Sequence, residues 1–215
     1  MMAPAIEQPR VVCICGVLAA GKTTLIRSLS EQLGGSAFLV FDEYDQFTQW
    51  PQDFGHWLAE GCPPGDVTNP RLKQDLQSLQ TGSAISHPID NHRIDPSSII
   101  LLEDPFGRTR PDNADLIDQV LFVDLPWDLS VVRMAQRVLG LDNLADQGEL
   151  VDESKGDLIE RIESARTWLS SYVARREMYT TLLAPVRETA DVILDAAQPA
   201  TTVLMKAVEA IRSDC

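Results

Sequence analysis

The segment Gly16–Thr23 constrains the fold of this chain more than any other stretch. It reads Gly-Val-Leu-Ala-Ala-Gly-Lys-Thr, which has the residue types and spacing of a phosphate-binding loop (P-loop). Glycines let the backbone approach phosphate oxygens, and successive N–H groups at a helix N-terminus supply positive charge. The strand-like run Arg10–Cys15 precedes it and the helical pattern Thr23–Leu33 follows it. The sequence therefore predicts a nucleotide-binding site here.

The residues of this loop have separate predicted roles. Lys22 is expected to reach the β- and γ-phosphates, and the Thr23 hydroxyl is expected to bind Mg²⁺. ATP and Mg²⁺ are therefore the predicted cofactors. A GTPase is disfavoured because lysine occurs only at positions 22, 73, 155 and 206, and none belongs to a guanine-reading element. The predicted nucleotide contacts are Gly16, Ala19, Ala20, Gly21, Lys22, Thr23 and Thr24.

The alternation of apolar runs with helical patterns predicts an α/β fold, a five-stranded parallel sheet flanked by helices. The predicted strands are Val11–Cys15, Ala37–Phe41, Ser98–Leu102, Val120–Val123 and Val192–Leu194. The 215 residues suit one domain. Within it, residues 46–96 are predicted to form an acceptor-binding insertion with a helix at Pro70–Gln80 and a short strand at Ala84–Ile89. Residues 133–156 are predicted to form an arginine-bearing lid.

Composition limits the partners and the compartment. The net charge of −14 and the pI near 4.5 disfavour nucleic acid and anionic membranes as partners. Four cysteines without a metal-site spacing, no signal-peptide pattern and no apolar run of membrane-spanning length predict a cytoplasmic protein. The helical stretch Asp157–Glu188, with Trp168 and Tyr172, could offer a homodimer face as readily as a core face.

Carboxylates follow two of the predicted strands, at the edge where open α/β sheets bind ligands. Glu103 follows an apolar strand, as a metal-organising carboxylate beside a P-loop does. Asp42 is the predicted general base for an acceptor hydroxyl. Glu43 and Asp45 remain alternatives, because the sequence does not show which carboxylate points inward.

Arginines are the predicted source of positive charge for the transferring phosphoryl group. Arg133 and Arg137 lie four residues apart on a helix after the fourth strand and are assigned this role. Arg108 and Arg110 are assigned equally to surface ion pairs and to the site, where either substrate binding or catalysis is open to them.

The insertion is predicted to bind the acceptor. Its histidines, at positions 56, 87 and 92, match no common zinc spacing, and Cys62 is the only nearby thiol, so a zinc site is disfavoured. Its aromatic residues are predicted either to pack under a flap or to stack on a flat acceptor. The predicted substrate-binding residues are Asp42, Tyr44, Phe47, Asp66, His92, Arg93 and Arg108.

With these residues in place, the chain resembles the uridine kinase/phosphoribulokinase group of P-loop kinases through most of its length. Phe41–Tyr44 is similar to an Asp-x-Phe-Tyr element, Leu102–Asp104 to a Phe-Glu-Gly element, and Ala184–Ile193 to the C-terminal Glu-Pro-x-Lys-x-x-Ala-Asp-Ile-Ile. Asp66–Gly82 is similar to the family's Pro-Asp-x-Asp…Asp-Leu…Leu-x-x-Gly stretch. Arg133 and Arg137 match the family's arginine-rich lid helix.

The resemblance implies transfer of the γ-phosphoryl group of ATP to a hydroxyl of a nucleoside, a vitamin, a sugar or a similar small molecule. Asp42 would be the base. Departures from the family pattern are a shorter flap at Ser83–Arg93, Ile89 in place of a tyrosine, and Asp104 in place of a glycine.

Two other functions fit the same motifs. A regulatory P-loop ATPase would hydrolyse ATP slowly without an acceptor, although it has no use for Asp42 or for a substrate insertion. A toxin-like kinase or antibiotic phosphotransferase of this fold would share every motif described.

Overall fold

A five-stranded parallel sheet in the order β2-β5-β1-β6-β7 forms the centre of the molecule. The computed structural model describes residues 8–141 and 155–213. The strands are β1 (Arg10–Gly16), β2 (Ala37–Val40), β5 (Ile99–Glu103), β6 (Gln119–Asp124) and β7 (Val192–Asp195), with a separate antiparallel hairpin of β3 (Ile85–Ser86) and β4 (Arg93–Ile94).

Helices cover the sheet, and within the described residues three short 3₁₀ segments connect the elements. The helices are α1 (Lys22–Gln32), α2 (Phe54–Ala59), α3 (Pro70–Gln80), α4 (Pro111–Ala114), α5 (Trp127–Leu139), α6 (Lys155–Glu188) and α7 (Ala200–Ser213). The 3₁₀ segments are Phe41–Phe47, Pro64–Asp66 and Gly107–Thr109. Within the described ranges, no helix is long and apolar enough to cross a membrane.

The central strand β1 is buried on both faces, as a parallel strand between two helical layers must be. Every residue from Val11 to Cys15 has no accessible surface, and Cys13 lies between Leu102 of β5 and Val120 of β6. Full burial of an aliphatic side chain contributes about 1.5–3 kcal/mol to stability. The parallel pairing also brings the carboxyl ends of β1, β2 and β5 to one edge of the sheet.

The predicted α/β fold is confirmed. All five predicted strands are present within a residue or two of their predicted bounds, and the helix in the insertion spans Pro70–Gln80 as predicted. The predicted strand Ala84–Ile89 is reduced to Ile85–Ser86, which pairs with Arg93–Ile94. Residues 142–154, most of the predicted lid, lie outside the described residues, as do residues 1–7.

A buried polar network attaches the insertion to the sheet edge. Asn69 caps α3 by accepting a hydrogen bond from the backbone N–H of Leu72 at 3.0 Å, and its Nδ2 donates to the carbonyl of Tyr44 at 3.0 Å. The Tyr44 hydroxyl donates to Asp75 at 3.1 Å, and Nε of Arg71 donates to the same carboxylate at 2.8 Å. This network fixes α3 against the segment that follows β2.

Candidate active site

The backbone of the P-loop requires glycine at its first position. Gly16 has a φ of 139°, and a Cβ atom there would lie 2.2 Å from the carbonyl oxygen of Val123. Val17 donates its N–H to that same carbonyl at 3.1 Å, so strand β6 fixes the start of the loop. Ala19 has a φ of 55°, a left-handed conformation uncommon outside glycine, and such conformations often occur at ligand-binding sites.

The end of the loop presents a free helix N-terminus. Gly21 adopts a left-handed conformation with a φ of 90° immediately before α1 begins at Lys22. The first turn of α1 contains no acidic residue, so no side chain of this turn neutralises the positive end of the helix dipole. Ser130 of α5 donates its hydroxyl to the carbonyl of Leu18 at 2.7 Å. The loop is thus held in an anion-binding conformation from two sides.

Glu103 lies at the carboxyl end of β5 beside two P-loop side chains. Its carboxylate is 3.6 Å from Nζ of Lys22 and accepts a hydrogen bond from the Thr23 hydroxyl at 3.5 Å. Burial raises the pKa of Glu103 above its usual range; Lys22 opposes this shift, and the nearby charge of Asp42 adds to it. The Thr23 hydroxyl and the Glu103 carboxylate are oxygen ligands of the kind that Mg²⁺ prefers, and a Mg²⁺ ion there would offset the repulsion between Glu103 and Asp42.

The three carboxylates after β2 have different surroundings. Asp42 is exposed and lines the cleft that also contains Lys22 and Glu103. Oε2 of Glu43 contacts Nε2 of His87 at 3.1 Å, and Asp45 accepts a hydrogen bond from the indole of Trp50 at 3.2 Å. The structure therefore brings Asp42, and neither alternative, to the P-loop cleft.

This cleft has a volume of about 480 Å³ and an aromatic wall. Trp50, Phe54 and Trp57 come from the insertion, and Phe41 and Phe106 come from the segments after β2 and β5. Edge-to-face contacts join Phe41 to Trp50 at 6.3 Å and Trp50 to Trp57 at 6.4 Å between ring centroids. Trp50 and Phe54 remain 42% and 37% exposed, which leaves ring surface free for a ligand.

Helix α6 forms the opposite wall, which the sequence reasoning missed. Arg175, Met178, Tyr179 and Leu182 line the cleft from this helix. Their spacing of three, one and three residues places them on one helical face, and this spacing is visible in the sequence. Nothing in the local pattern indicated which face of so long a helix would meet the P-loop.

A buried ion pair lies behind the aromatic wall. Arg110 and Asp104 are both fully buried and form a salt bridge. The guanidinium lies 5.1 Å from the ring centroid of Phe41 and 5.4 Å from that of Phe106. Burial raises the pKa of Asp104, and the charge of Arg110 opposes that shift. Arg110 is thus a supporting residue of the cleft wall with no surface toward a substrate.

A second cavity, of about 390 Å³, lies on the other side of the P-loop. Ala20, Gly21 and Thr24 line it together with Arg133 of α5. Arg133 donates to the carbonyl of Ala196 at 2.9 Å, which holds the arginine at the mouth of this cavity. Among the described residues, Arg137 is exposed and lines neither cavity.

Three predicted substrate contacts do not line the P-loop cleft and make contacts within the protein. Tyr44 is fully buried with its hydroxyl on Asp75, and Phe47 packs against the core with Arg71 5.7 Å from its ring centroid. Arg108 contacts Asp191 at 2.9 Å and donates to the carbonyls of residues 117 and 118. These partners precede β6 and β7, so Arg108 lies at the amino ends of the strands, opposite the P-loop.

The remaining predicted substrate contacts also lie outside the P-loop cleft. Asp66 is exposed on a 3₁₀ segment and does not line the cleft. His92 and Arg93 line a separate cleft of about 420 Å³ beside β2. The reason is that the hairpin is short and packs against Glu43 on the β2 side. Of the predicted substrate-binding set, the structure brings only Asp42 to the P-loop cleft.

Two uridine kinases are similar to this chain over most of its length. The uridine kinase of Ligilactobacillus salivarius is 24% identical over 201 residues, covering 87% of this chain and 85% of that protein. The uridine kinase of Bacillus velezensis is 24% identical over 208 residues, covering 87% and 86%. This chain is similar to uridine kinases. The resemblance predicted from the motifs is therefore confirmed, although no family model matches the chain.

Two solved structures align with the uridine kinase-like chain along nearly its whole length. A shikimate kinase from Acinetobacter baumannii aligns with a TM-score of 0.44 and 17% identity, over 98% of this chain and 97% of that one. A gluconokinase from Sinorhizobium meliloti aligns with a TM-score of 0.42 and 15% identity, over 97% and 98%.

Proposed function

We propose that the protein is a kinase that transfers the γ-phosphoryl group of ATP to a hydroxyl of a small molecule. The observation that carries this proposal is one cleft that holds Lys22, Glu103 and Asp42 beside an aromatic wall. The similarity to uridine kinases supports a nucleoside or nucleoside-like acceptor first, and a vitamin or a sugar would offer the same hydroxyl chemistry. We expect the reaction in the cytoplasm, where thiols stay reduced.

The proposed roles follow from the side of the P-loop on which each residue lies. The cavity beside Thr24 and Arg133 would take the nucleoside part of ATP, and the loop N–H groups would hold its phosphates. The cleft beside Asp42 would take the acceptor. Mg²⁺ bound at Thr23 and Glu103 would neutralise charge on the β- and γ-phosphates.

In the proposed reaction, the acceptor oxygen forms a bond to the γ-phosphorus as the bond from that phosphorus to the β–γ bridging oxygen breaks. Asp42 accepts the hydroxyl proton, and ADP leaves with the bridging oxygen. Lys22 and Arg133 stabilise the charge that spreads over the transferring group. Arg137 lines neither cavity, and the same role is proposed for it on the basis of the sequence alone.

A coupled ADP-release assay over nucleosides, vitamins, sugars and aminosugars tests this function. We expect one acceptor class to raise the rate at least about tenfold above the acceptor-free rate. Lys22→Ala should abolish this rate because it removes the cation at the phosphates, a loss of roughly 10²–10³-fold or more. Lys206→Ala, on the exposed surface of α7, is the matched control.

Two outcomes would contradict the proposal. An ADP-release rate that no acceptor changes would indicate a regulatory ATPase rather than a kinase. An undiminished rate in Lys22→Ala would show that the P-loop is not the nucleotide site.

A further inference from the structure

The β3–β4 hairpin brings together two histidines and a carboxylate that the proposed kinase function does not use. His87 follows β3 and His92 precedes β4, and the backbone N–H of His87 donates to the carbonyl of His92 at 2.8 Å. The two residues are therefore cross-strand neighbours on a four-residue loop. Their imidazole rings stack with centroids 4.4 Å apart.

Asp90, in the loop between them, points one oxygen at both rings. Its Oδ1 lies 2.8 Å from Nδ1 of His87 and 2.6 Å from Nδ1 of His92. One ligand atom from each of the three residues lies within 4.8 Å of the other two. A single ion between them would thus be within reach of two nitrogens and one oxygen.

Glu43 holds His87 from behind. Its Oε2 lies 3.1 Å from Nε2 of His87, and we assign the ring proton to this nitrogen, which leaves a lone pair on Nδ1. A carboxylate on the far nitrogen of a histidine is the usual outer support of a metal-binding imidazole. The tautomer that this contact selects is the one that a metal site on Asp90 requires.

The surroundings of Nδ1 of His87 favour a bound cation. The atom is buried and makes no hydrogen bond of acceptable geometry to any of the described residues, although Asp90 is close. A lone pair 2.8 Å from a carboxylate oxygen is a repulsive contact unless a proton or a metal ion lies between the two atoms. Two carboxylates here, in a chain of net charge −14, also favour a cation electrostatically.

We propose that this hairpin binds one divalent transition-metal ion of the zinc class through His87, Asp90 and His92. The ligand set of two imidazoles and one carboxylate suits zinc and its neighbours, whereas Mg²⁺ prefers oxygen ligands alone. The site leaves at least one coordination position for water. By fixing the His87 ring, the ion would also stabilise the contact between the hairpin and Glu43, the residue next to Asp42. This inference goes beyond the proposed kinase function and does not depend on it.

The linear spacing of the histidines argued against zinc because it matches no familiar ligand pattern. The hairpin removes that objection, since strand pairing, not helical spacing, brings positions 87 and 92 together. The nearby cleft also contains Arg27 and Arg93, but Arg93 is paired with Asp95 at 2.7 Å.

Calorimetric titration of the full-length, chelator-treated protein with ZnCl₂ tests the site. Millimolar MgCl₂ is included in the buffer to fill the proposed Mg²⁺ position at the P-loop and should not compete at the hairpin. We expect one equivalent of zinc bound with micromolar affinity or tighter. His92→Ala should weaken this binding at least about 100-fold, and Glu43→Gln about tenfold.

His92→Ala is expected to fold normally because the His92 side chain is 56% exposed. His56→Ala is the matched control: His56 belongs to the same insertion, is 66% exposed and pairs with Glu60 at 3.2 Å, so zinc affinity should not change. X-ray absorption of the zinc-loaded protein should show nitrogen and oxygen ligands without sulfur.

Three results would overturn the proposal. One is the absence of saturable zinc binding, which would mean that a proton alone neutralises His87 and Asp90. Another is equal zinc affinity in His92→Ala and the unsubstituted protein. The third is sulfur coordination, which would assign the zinc to the cysteines.

Discussion

The two sides of the P-loop, the proposed ATP side (the donor side) and the proposed acceptor side, are built in different ways. The donor side consists mainly of backbone: Gly16 against Val123, the N–H groups before α1, and the ends of three paired strands. The acceptor side consists mainly of side chains from the insertion and from α6. Backbone sites tolerate little change, whereas side-chain walls can be replaced residue by residue. We therefore expect substitutions on the donor side and at Asp42 to abolish activity and substitutions in the acceptor wall to retune it.

The largest expected effect is that of Asp42→Asn. Phosphoryl transfer should fall by about 10²–10⁴-fold because the acceptor hydroxyl loses its base, while ATP affinity changes little. Single-turnover transfer and nucleotide binding by fluorescence measure the two quantities separately. Asp45→Asn is the control, because asparagine can still accept the hydrogen bond from Trp50. Equal losses in both variants would contradict the assignment of Asp42.

A smaller effect is expected in the acceptor wall. Trp50→Ala removes a half-exposed ring from the cleft and should raise the KM for the acceptor about tenfold without changing the KM for ATP. Steady-state kinetics with each substrate varied in turn measures this. Trp168 lies on α6 outside the cleft, and its ring stacks on that of Tyr172 with centroids 5.3 Å apart. Trp168→Ala should therefore change neither constant. An unchanged acceptor KM in Trp50→Ala would exclude the aromatic wall as the acceptor site.

We expect the ionisation of Glu103, on the donor side, to make the free energy of unfolding depend on pH. Its folded pKa is raised, mainly by burial, so its contribution to stability is present below the unfolded pKa and is lost as pH rises through the folded pKa. Metal-free Glu103→Gln should therefore unfold about 3 °C higher than the unsubstituted protein at neutral pH. The difference should shrink toward acid pH and be absent below the unfolded pKa. Thermal melts across pH measure it, and a difference independent of pH would contradict this explanation.

The smallest effect is expected for Arg108→Gln, because Arg108 lines neither the P-loop cleft nor the second cavity. Losing the partly exposed pair with Asp191 should cost about 0.5–1 kcal/mol of unfolding free energy and leave kinase activity unchanged. Denaturant unfolding and the ADP-release assay measure these quantities. Arg93→Gln, on an exposed pair, should leave both unchanged. A loss of activity in Arg108→Gln would return this arginine to the substrate site.

The same contrast explains how much could be predicted from the sequence. The strands and the P-loop depend on short patterns, such as the buried run Val11–Cys15, that determine local structure directly. The acceptor contacts depend on tertiary packing: Tyr44 turns inward because Asp75 and Asn69 lie beneath it. Arg175 and Tyr179 reach the cleft because α6 crosses it, and both residues are more than 130 positions away from Asp42 in the chain. Residue type alone does not contain that information.

The buried pair of Arg110 and Asp104 limits how the acceptor wall can evolve. Replacing either residue alone would leave an uncompensated charge beneath Phe41 and Phe106, a loss of about 3–5 kcal/mol, which is a large part of the stability of most domains. Replacing both with apolar residues would cost much less. The two positions are therefore expected to change together in descendants of this chain. A new acceptor specificity that requires movement of these rings would be reached through paired substitutions rather than single ones.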